Sequence, residues 1–388
     1  MINYGRHFLD KKDIVSVSNI LRSSWLTQGP VVKKFETALK KKFGANYCCV
    51  VSNGTAALHL AGLSLGWKEG DIVIASSLSF LASSNSIIYT GATPSFVDIN
   101  PITYTIDVNQ IEKKIKMFAN RNKKVVAIIA TDYAGHPCDW KTLKSISKKY
   151  NLKLINDNCH AIGASYKNDS KYALKFADVV THSYHPVKNI TTGEGGSILT
   201  NNKEIDKKVR SLRSHGITRN PKEMNKYDGP WYYEMNDLGF NYRITDFQCA
   251  LGLSQLKKLN KFIKKRKEIA KIYDSQFKNS SFYTIPNVSK ECSHSYHLYP
   301  LQIDFNNMKQ KKKLFKELYR NGINLQVHYI PIHLQPYYRK KYNFKKGNYP
   351  VAEEFYTKEL SLPIFYSLKK KDIDRVIRLI KEFCEKNL

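Results

Sequence analysis

The sequence predicts an α/β fold built on a mostly parallel sheet, and three observations carry that prediction. Between about residues 31 and 215, short β-branched runs alternate with patterns of helical period. That rhythm places parallel strands side by side with helices on both faces. After residue 245 the texture changes to a long proline-free helical stretch followed by isolated strands and helices. With 388 residues and 42% hydrophobic content, the chain is long enough for one large and one small domain, or two similar ones.

Strands are expected at 47–51, 71–75, 94–98, 125–130, 152–156, 178–181 and 197–200, with helices at 55–65, 81–89, 109–118 and 139–149 between them. Beyond them the pattern gives one helix over 246–277, a strand at 296–303, a helix at 308–320 and a closing helix at 372–384. We divide the chain into an N-terminal segment (1–30) contributing to the active site, a large domain (31–250), and a long helix with a small C-terminal α+β domain (251–388). Parallel connections are right-handed and ligands sit at the carboxyl ends of the strands, so the residues just after each strand are those to inspect.

Composition removes several function classes. The net charge is +30, from 63 Lys plus Arg against 33 Asp plus Glu. The lysines come in short bursts at 40–42, 311–313 and 369–371 without interleaved aromatics, so no stacking platform for nucleic acid is expected. A positive field does attract anionic substrates. The seven cysteines include no CxxC pair, which suggests free thiols and neither a zinc site nor a disulfide framework. The opening residues do not read as a signal peptide and no apolar run of membrane length occurs, so a cytoplasmic location away from membranes is expected.

The chemistry lies at the strand ends. After the first strand comes Ser52-Asn53-Gly54-Thr55-Ala56-Ala57-Leu58, where free N–H groups at a helix start can bind a phosphate, although plain helix capping reads the same way. After the second, Phe80 can lie flat on a ligand ring or pack into the core. Asp157, in Asn156-Asp157-Asn158-Cys159-His160, ends a buried strand, where a carboxylate calls for a cationic partner such as a protonated pyridine nitrogen. His160, three residues on, can address the same ring. The loop from His182 to Gly196 holds Lys188 between Pro186 and Gly193, unlike the surface lysines elsewhere. Partial burial and nearby positive charge are expected to lower its pKa and free the amine to attack a carbonyl. Ser183 adds a hydroxyl.

Together the Ser-Asn-Gly-Thr-Ala-Ala-Leu loop, the aspartate before a histidine, and the Ser-Tyr-His-Pro-Val-Lys…Gly-Glu-Gly-Gly loop resemble the DegT/DnrJ/EryC/StrS sugar aminotransferases, a branch of the fold-type I pyridoxal-phosphate enzymes. The similarity covers nearly the whole chain. It implies a large domain with a mixed seven-stranded sheet, antiparallel at its edge, a small C-terminal domain, and a homodimer with shared active sites. It further implies that Lys188 carries pyridoxal 5'-phosphate as a Schiff base and shuttles protons, and that Asp157 pairs with the pyridinium nitrogen. By the same resemblance Phe80 stacks on the ring, His160 sits near its phenolic oxygen, and Gly54, Thr55 and Ser183 hold the phosphate. Asn241 reaches the phosphate of the neighbouring subunit, and Arg243 is a candidate for the amino donor's carboxylate. Two departures stand out, Asn156 where relatives carry Glu and Cys159 where they carry a small residue. Some relatives replace the lysine by histidine and dehydrate their substrates; Lys188 argues against that.

Three further pieces, residues 2–6, 25–30 and 326–331, are similar to the branch of the family that serves pseudaminic acid synthesis. The substrate this implies is a UDP-linked 4-keto-6-deoxy-N-acetylhexosamine of L configuration, aminated at C4 with L-glutamate as donor. Tyr4, Leu26, Thr27, Gln28, Gly29, Gln326, Val327, His328 and Tyr329 are the candidate substrate contacts, although Trp25 and Leu26 also read as packing and 28–30 as a turn. Alternatives are a sister enzyme acting on a D-configured 4-keto or a 3-keto sugar, or a non-catalytic regulatory protein on the same fold.

Overall fold

The computed structural model describes residues 1–388. Seven strands form its central sheet: β1 (Tyr47–Val51), β2 (Ile72–Ser76), β3 (Thr93–Val97), β4 (Val125–Thr131), β5 (Lys153–Asp157), β6 (Val179–Ser183) and β7 (Gly196–Thr200). Their order in space is β1-β7-β6-β5-β4-β2-β3. From β3 through β6 every pairing is parallel, while β7 runs antiparallel to both β6 and β1. The β6–β7 connection carries no helix and so turns the chain straight back, as antiparallel neighbours require. The antiparallel edge expected from the sequence is thus made by the second strand in.

Period-two alternation sends successive residues to opposite faces. Cys48 and Val50 of β1, with Ile72 and Ile74 of β2, enter one apolar core, while Cys49, Val51, Val73 and Ala75 enter another. Helix α1 (Gly54–Ser64) is apolar on nearly all sides and correspondingly buried over residues 56–62. A third core joins helices Leu259–Phe277 and Lys370–Asn387 to an antiparallel sheet of Tyr283–Thr284, Tyr299–Ile303 and Glu359–Leu362. No helix is long and apolar enough to cross a membrane.

The large-sheet strands fall within two residues of their expected bounds. Two helices before β1 have no counterpart in the sequence reading: Lys11–Leu21, capped by Asp10, and Pro30–Phe43, ended by Gly44 at φ 70°. The long helix expected over 246–277 is two helices, Asp246–Leu256 and Leu259–Phe277. At the break the Lys258 ammonium lies 2.6 Å from both the Asp10 and Asp13 carboxylates, a tertiary contact that local propensity does not encode. The strand expected at 296–303 begins only at Tyr299, because Tyr296 is left-handed at φ 50°. At the N-terminus, Ile2 and Asn3 pair in parallel with Ile323 and Asn324. Tyr4 is then held between the Asn324 carbonyl (3.1 Å) and the Ile364 N–H (3.0 Å).

The edge strand β1 is tied down by Glu36, which accepts from the Val50 N–H at 3.1 Å and from Arg210 and Arg213 at 2.9 and 3.2 Å. Replacing Glu36 by alanine leaves both guanidiniums without their shared carboxylate. The expected cost, discounted for the partly exposed Arg210, is about 2–3 kcal/mol, read as a lowered urea midpoint with an unchanged m-value.

Candidate active site

The carboxyl ends of β4, β5 and β6 open into a cavity of about 870 Å³. One wall is the start of α1. Asn53, in extended conformation, caps the helix by accepting from the Ala56 N–H at 2.8 Å, so Gly54 and Thr55 lead the positive end of α1 into the cavity. Glycine is required at 54, since a Cβ there would lie 2.8 Å from Cβ of Ser183. Helix start and β6 end thereby close into a cup of Asn53, Gly54, Thr55 and Ser183.

Asp157 is the last residue of β5 and is buried. Its Oδ2 accepts from Ser83 at 2.6 Å and Thr131 at 3.3 Å, and its Oδ1 accepts from the Cys159 N–H at 3.2 Å. These donors hold the carboxylate at the cavity floor. Lys188 stands in a loop pinned by Asn189, whose amide donates to the Ile162 carbonyl, and by Thr191 and Thr192, which both bond the Tyr184 carbonyl. Its Nζ lies 3.5 Å from Nε2 of His297. Burial lowers the Lys188 pKa, while Cys159 and Asp157 act to raise it, so the neighbouring positive charge expected from the sequence is not the cause.

Three histidines surround this amine. Burial, reinforced by Lys188, pushes His160, His297 and His328 far down, so all three are neutral. His160 faces Tyr329 at 3.1 Å, and the Tyr329 ring lies 5.8 Å from that of Phe80, which is exposed at the cavity rim. Tyr4, Gln326, Val327, His328 and Tyr329 form the far wall. The Tyr4 ring packs 4.7 Å from His328.

The first departure has a local reason. Asn156 and Asn158 both donate to Oδ2 of the fully buried Asp132, at 3.2 and 2.9 Å, alongside the Tyr172 hydroxyl at 2.5 Å. Glutamate at 156 would set a second buried carboxylate against Asp132, whose carboxyl burial already pushes up. Cys159 donates its N–H to Asp157, and burial raises its thiol well above the usual range.

Of the sequence-derived site residues, Tyr4, Gly54, Thr55, Phe80, Asp157, His160, Ser183, Lys188, Gln326, Val327, His328 and Tyr329 all line the one cavity. Six do not. Gln28, Gly29 and Arg243 border a separate hollow together with Arg210 and Arg213. Asp246 draws residues 29–31 there by accepting from the N–H groups of Gly29 (2.7 Å) and Val31 (2.9 Å). Leu26 and Thr27 follow, through the bond of the Asp246 N–H to the Leu26 carbonyl and the Thr27–Thr245 bridge. Asn241 is exposed and bridges Ser214. Sequence reasoning missed Ser83, Thr131, Tyr242 and above all His297, which carries no local signal because it precedes an ordinary apolar strand.

The residues present fit pyridoxal phosphate: a helix start for its phosphate, a fixed carboxylate for its ring cation, an aromatic face, and an amine that desolvation makes less basic. This sheet, with such a lysine in the β6–β7 loop, defines a fold-type I pyridoxal-phosphate transferase. The chain belongs to the DegT/DnrJ/EryC1/StrS aminotransferase family, whose model matches residues 8–381. It is 39% identical over 383 residues to an uncharacterized protein of Methanocaldococcus jannaschii, covering 98% of this chain and 97% of that one. It is 37% identical over 388 residues to the UDP-4-amino-4,6-dideoxy-N-acetyl-beta-L-altrosamine transaminase of Campylobacter jejuni, covering 100% and 98%. Among solved structures, Helicobacter pylori PseC, an aminotransferase involved in pseudaminic acid biosynthesis, superposes with TM-score 0.89 at 32% identity over 99% of both chains. A candidate sugar aminotransferase of Streptococcus pneumoniae in its PMP form superposes with TM-score 0.91 at 30% identity over 100% of both.

The cup makes a direct prediction. Gly54→Ala forces α1 away from Ser183 and should weaken pyridoxal phosphate binding about tenfold without loss of helix content, measured by cofactor titration and circular dichroism.

Proposed function

We propose that this aminotransferase moves the amino group of L-glutamate to C4 of UDP-2-acetamido-2,6-dideoxy-β-L-arabino-hexos-4-ulose, in the cytoplasm, as a step of pseudaminic acid biosynthesis. The observation that carries the chemistry is Lys188, a half-buried amine with a depressed pKa facing the same cavity as Asp157. Full-length likeness to the Campylobacter transaminase supports the substrate. Pyridoxal phosphate is the cofactor and supplies, when bound, a carbonyl for amine exchange and a ring that takes up electrons.

The chain's own residues do the rest. Lys188 takes a proton from the amino donor's α-carbon and returns one to C4 of the sugar, a task suited to an amine that burial leaves less basic. Asp157, fixed by Ser83 and Thr131, places its carboxyl group where a ring cation needs it. Gly54, Thr55 and Ser183 hold the phosphate, Phe80 covers a ring face, and His160 stands by the phenolic oxygen. Tyr4, Gln326, Val327, His328 and Tyr329 meet the sugar. Leu26, Thr27, Gln28, Gly29, Asn241 and Arg243 serve the cavity of the second subunit in a homodimer, in keeping with their distance from their own.

The purified protein, offered glutamate with the 4-keto-L-sugar or its D-configured counterpart and followed by mass and NMR, is expected to aminate the L-sugar at C4. Selective amination of the D-sugar would keep the chemistry and overturn the substrate. Lys188→Ala should lower turnover on the order of a thousandfold or more. His328→Ala should damage the sugar half-reaction more than the glutamate half-reaction, measured by single-turnover absorbance; equal damage would count against its sugar contact.

A further inference from the structure

Behind His328 lies a buried hydrogen-bonded chain that the proposed chemistry does not use. Strand Glu359–Leu362 carries Glu359 and Ser361, both fully buried. The Ser361 Oγ is 2.6 Å from Oε1 of Glu359 and 2.8 Å from Nδ1 of His328. The main-chain N–H of His328 donates to the other Glu359 oxygen at 3.0 Å. The Tyr133 hydroxyl donates to the His328 carbonyl, so the residue is gripped at its N–H, carbonyl and ring.

The direction of this chain follows from its carboxylate. Burial raises the Glu359 carboxyl to about 7, and above that pH it is ionised and has no hydrogen to give, so the Ser361 hydroxyl donates to Glu359 and can only accept from His328. Burial pushes the His328 imidazole down to about 3, so it is neutral and has a single ring hydrogen. That hydrogen is therefore on Nδ1, which leaves Nε2 as an acceptor. Nε2 has no partner in the protein and is not sealed off; it is reached from the cavity that His328 lines.

A second chain fixes the next residue in the opposite sense. The Ala134 main-chain N–H donates to Nδ1 of His160 at 3.3 Å, so the ring hydrogen of this neutral histidine is on Nε2 and points at the Tyr329 oxygen, 3.1 Å away. The Tyr329 hydroxyl accepts from His160 and keeps its own hydrogen for the cavity. Consecutive residues thus present an acceptor and a donor side by side. A hydroxyl, which both gives and accepts a hydrogen bond, satisfies both; a ketone oxygen or an ammonium satisfies one.

We infer that Glu359 and Ser361 are positioning residues that hold His328 as a hydrogen-bond acceptor, so that His328 and Tyr329 together read a hydroxyl of the sugar; this rests on the nucleotide-sugar reading of the cavity. The relay is reversible. A protonated Glu359 would donate to Ser361 and Ser361 to Nδ1, turning Nε2 into a donor beside the Tyr329 donor and spoiling the match. Burial pushes the Glu359 carboxyl up, while Ser361, Lys311 and the His328 N–H pull it back. The other titratable groups facing it are Lys311 of helix Met308–Arg320, Tyr133, His328 and Tyr329. Sugar recognition is thus lost on acidification, as Glu359 takes up its proton.

Nitrogen-15 NMR of selectively histidine-labelled holoenzyme tests the relay, with His328 assigned by the signal missing from His328→Asn. Well above pH 7, where Glu359 is ionised, the expected wild-type pattern is protonated Nδ1 and bare Nε2, lost in Ser361→Ala. In that variant the KM for the UDP-keto-sugar should rise about tenfold with the glutamate half-reaction unchanged, and Ser361→Thr should restore both readings. Should Ser361→Ala fold poorly, Glu359→Gln gives the second arm, and the acid-side rise of the sugar KM seen in wild type should vanish. A wild-type His328 protonated on Nε2, an unchanged KM in Ser361→Ala, or equal damage to both half-reactions would overturn the inference. A sugar KM unmoved by His328→Ala, with the tautomer as expected, would sink the substrate reading and the recognition role with it.

Discussion

Parallel strands end at the same edge of a sheet, and the active site depends on that constraint before anything else. Thr131, Asp157 and Ser183 are the last residues of three adjacent strands, and the register sets Thr131 against Asp157 and Asp157 against Thr181. Hydrogen bonds deep in the sheet therefore fix the floor of the cavity, and the loops build its walls and roof. The reversal at β7 then sends Lys188 over that floor. β1 and β6 both run antiparallel to the β7 between them and so end at the same edge, where Gly54 tolerates the close approach of Ser183.

The electrostatic arrangement is one of separation. Carboxylates beneath the cavity are matched with neutral donors: Asp157 with two hydroxyls and an N–H, Asp132 with amides, a phenol and the Trp140 indole. The lysine above them has no carboxylate in hydrogen-bond range and is ringed by neutral imidazoles. Such a setting leaves the amine's proton loosely held, which is what a group that must both take and return protons requires.

What the sequence made legible was mostly local, although the helices Lys11–Leu21 and Pro30–Phe43 went unread despite the Asp10 cap and the Pro30 and Gly44 end signals. Each β-branched run became a strand, the Ser-Asn-Gly segment became a capped helix start, and the loop around Lys188 became the cavity roof. What it hid depended on contacts between distant segments. The break near Lys258 comes from aspartates some 245 residues earlier, and His297 meets Lys188 across 109 residues. The grouping of Leu26, Thr27, Gln28 and Gly29 with Arg243 instead of Lys188 follows from Asp246, a helix-start residue whose reach to Gly29 spans 217 positions. The Glu359–Ser361–His328 chain is equally silent, since alternating buried polar residues in a strand read as a solvated face.

The buried Arg266 ties these distant parts together in an unusual way. Its guanidinium donates to the carbonyls of Tyr296, His297 and Ile364, and burial lowers its pKa only to about 10. None of those partners titrates, and none is exchanged for a dissolved ion. The joint between the C-terminal core and the cavity wall should consequently hold its geometry across wide swings of acidity and ionic strength, where a conventional ion pair would loosen. A chain this heavily charged has been given, at its most sensitive seam, a clasp made of backbone.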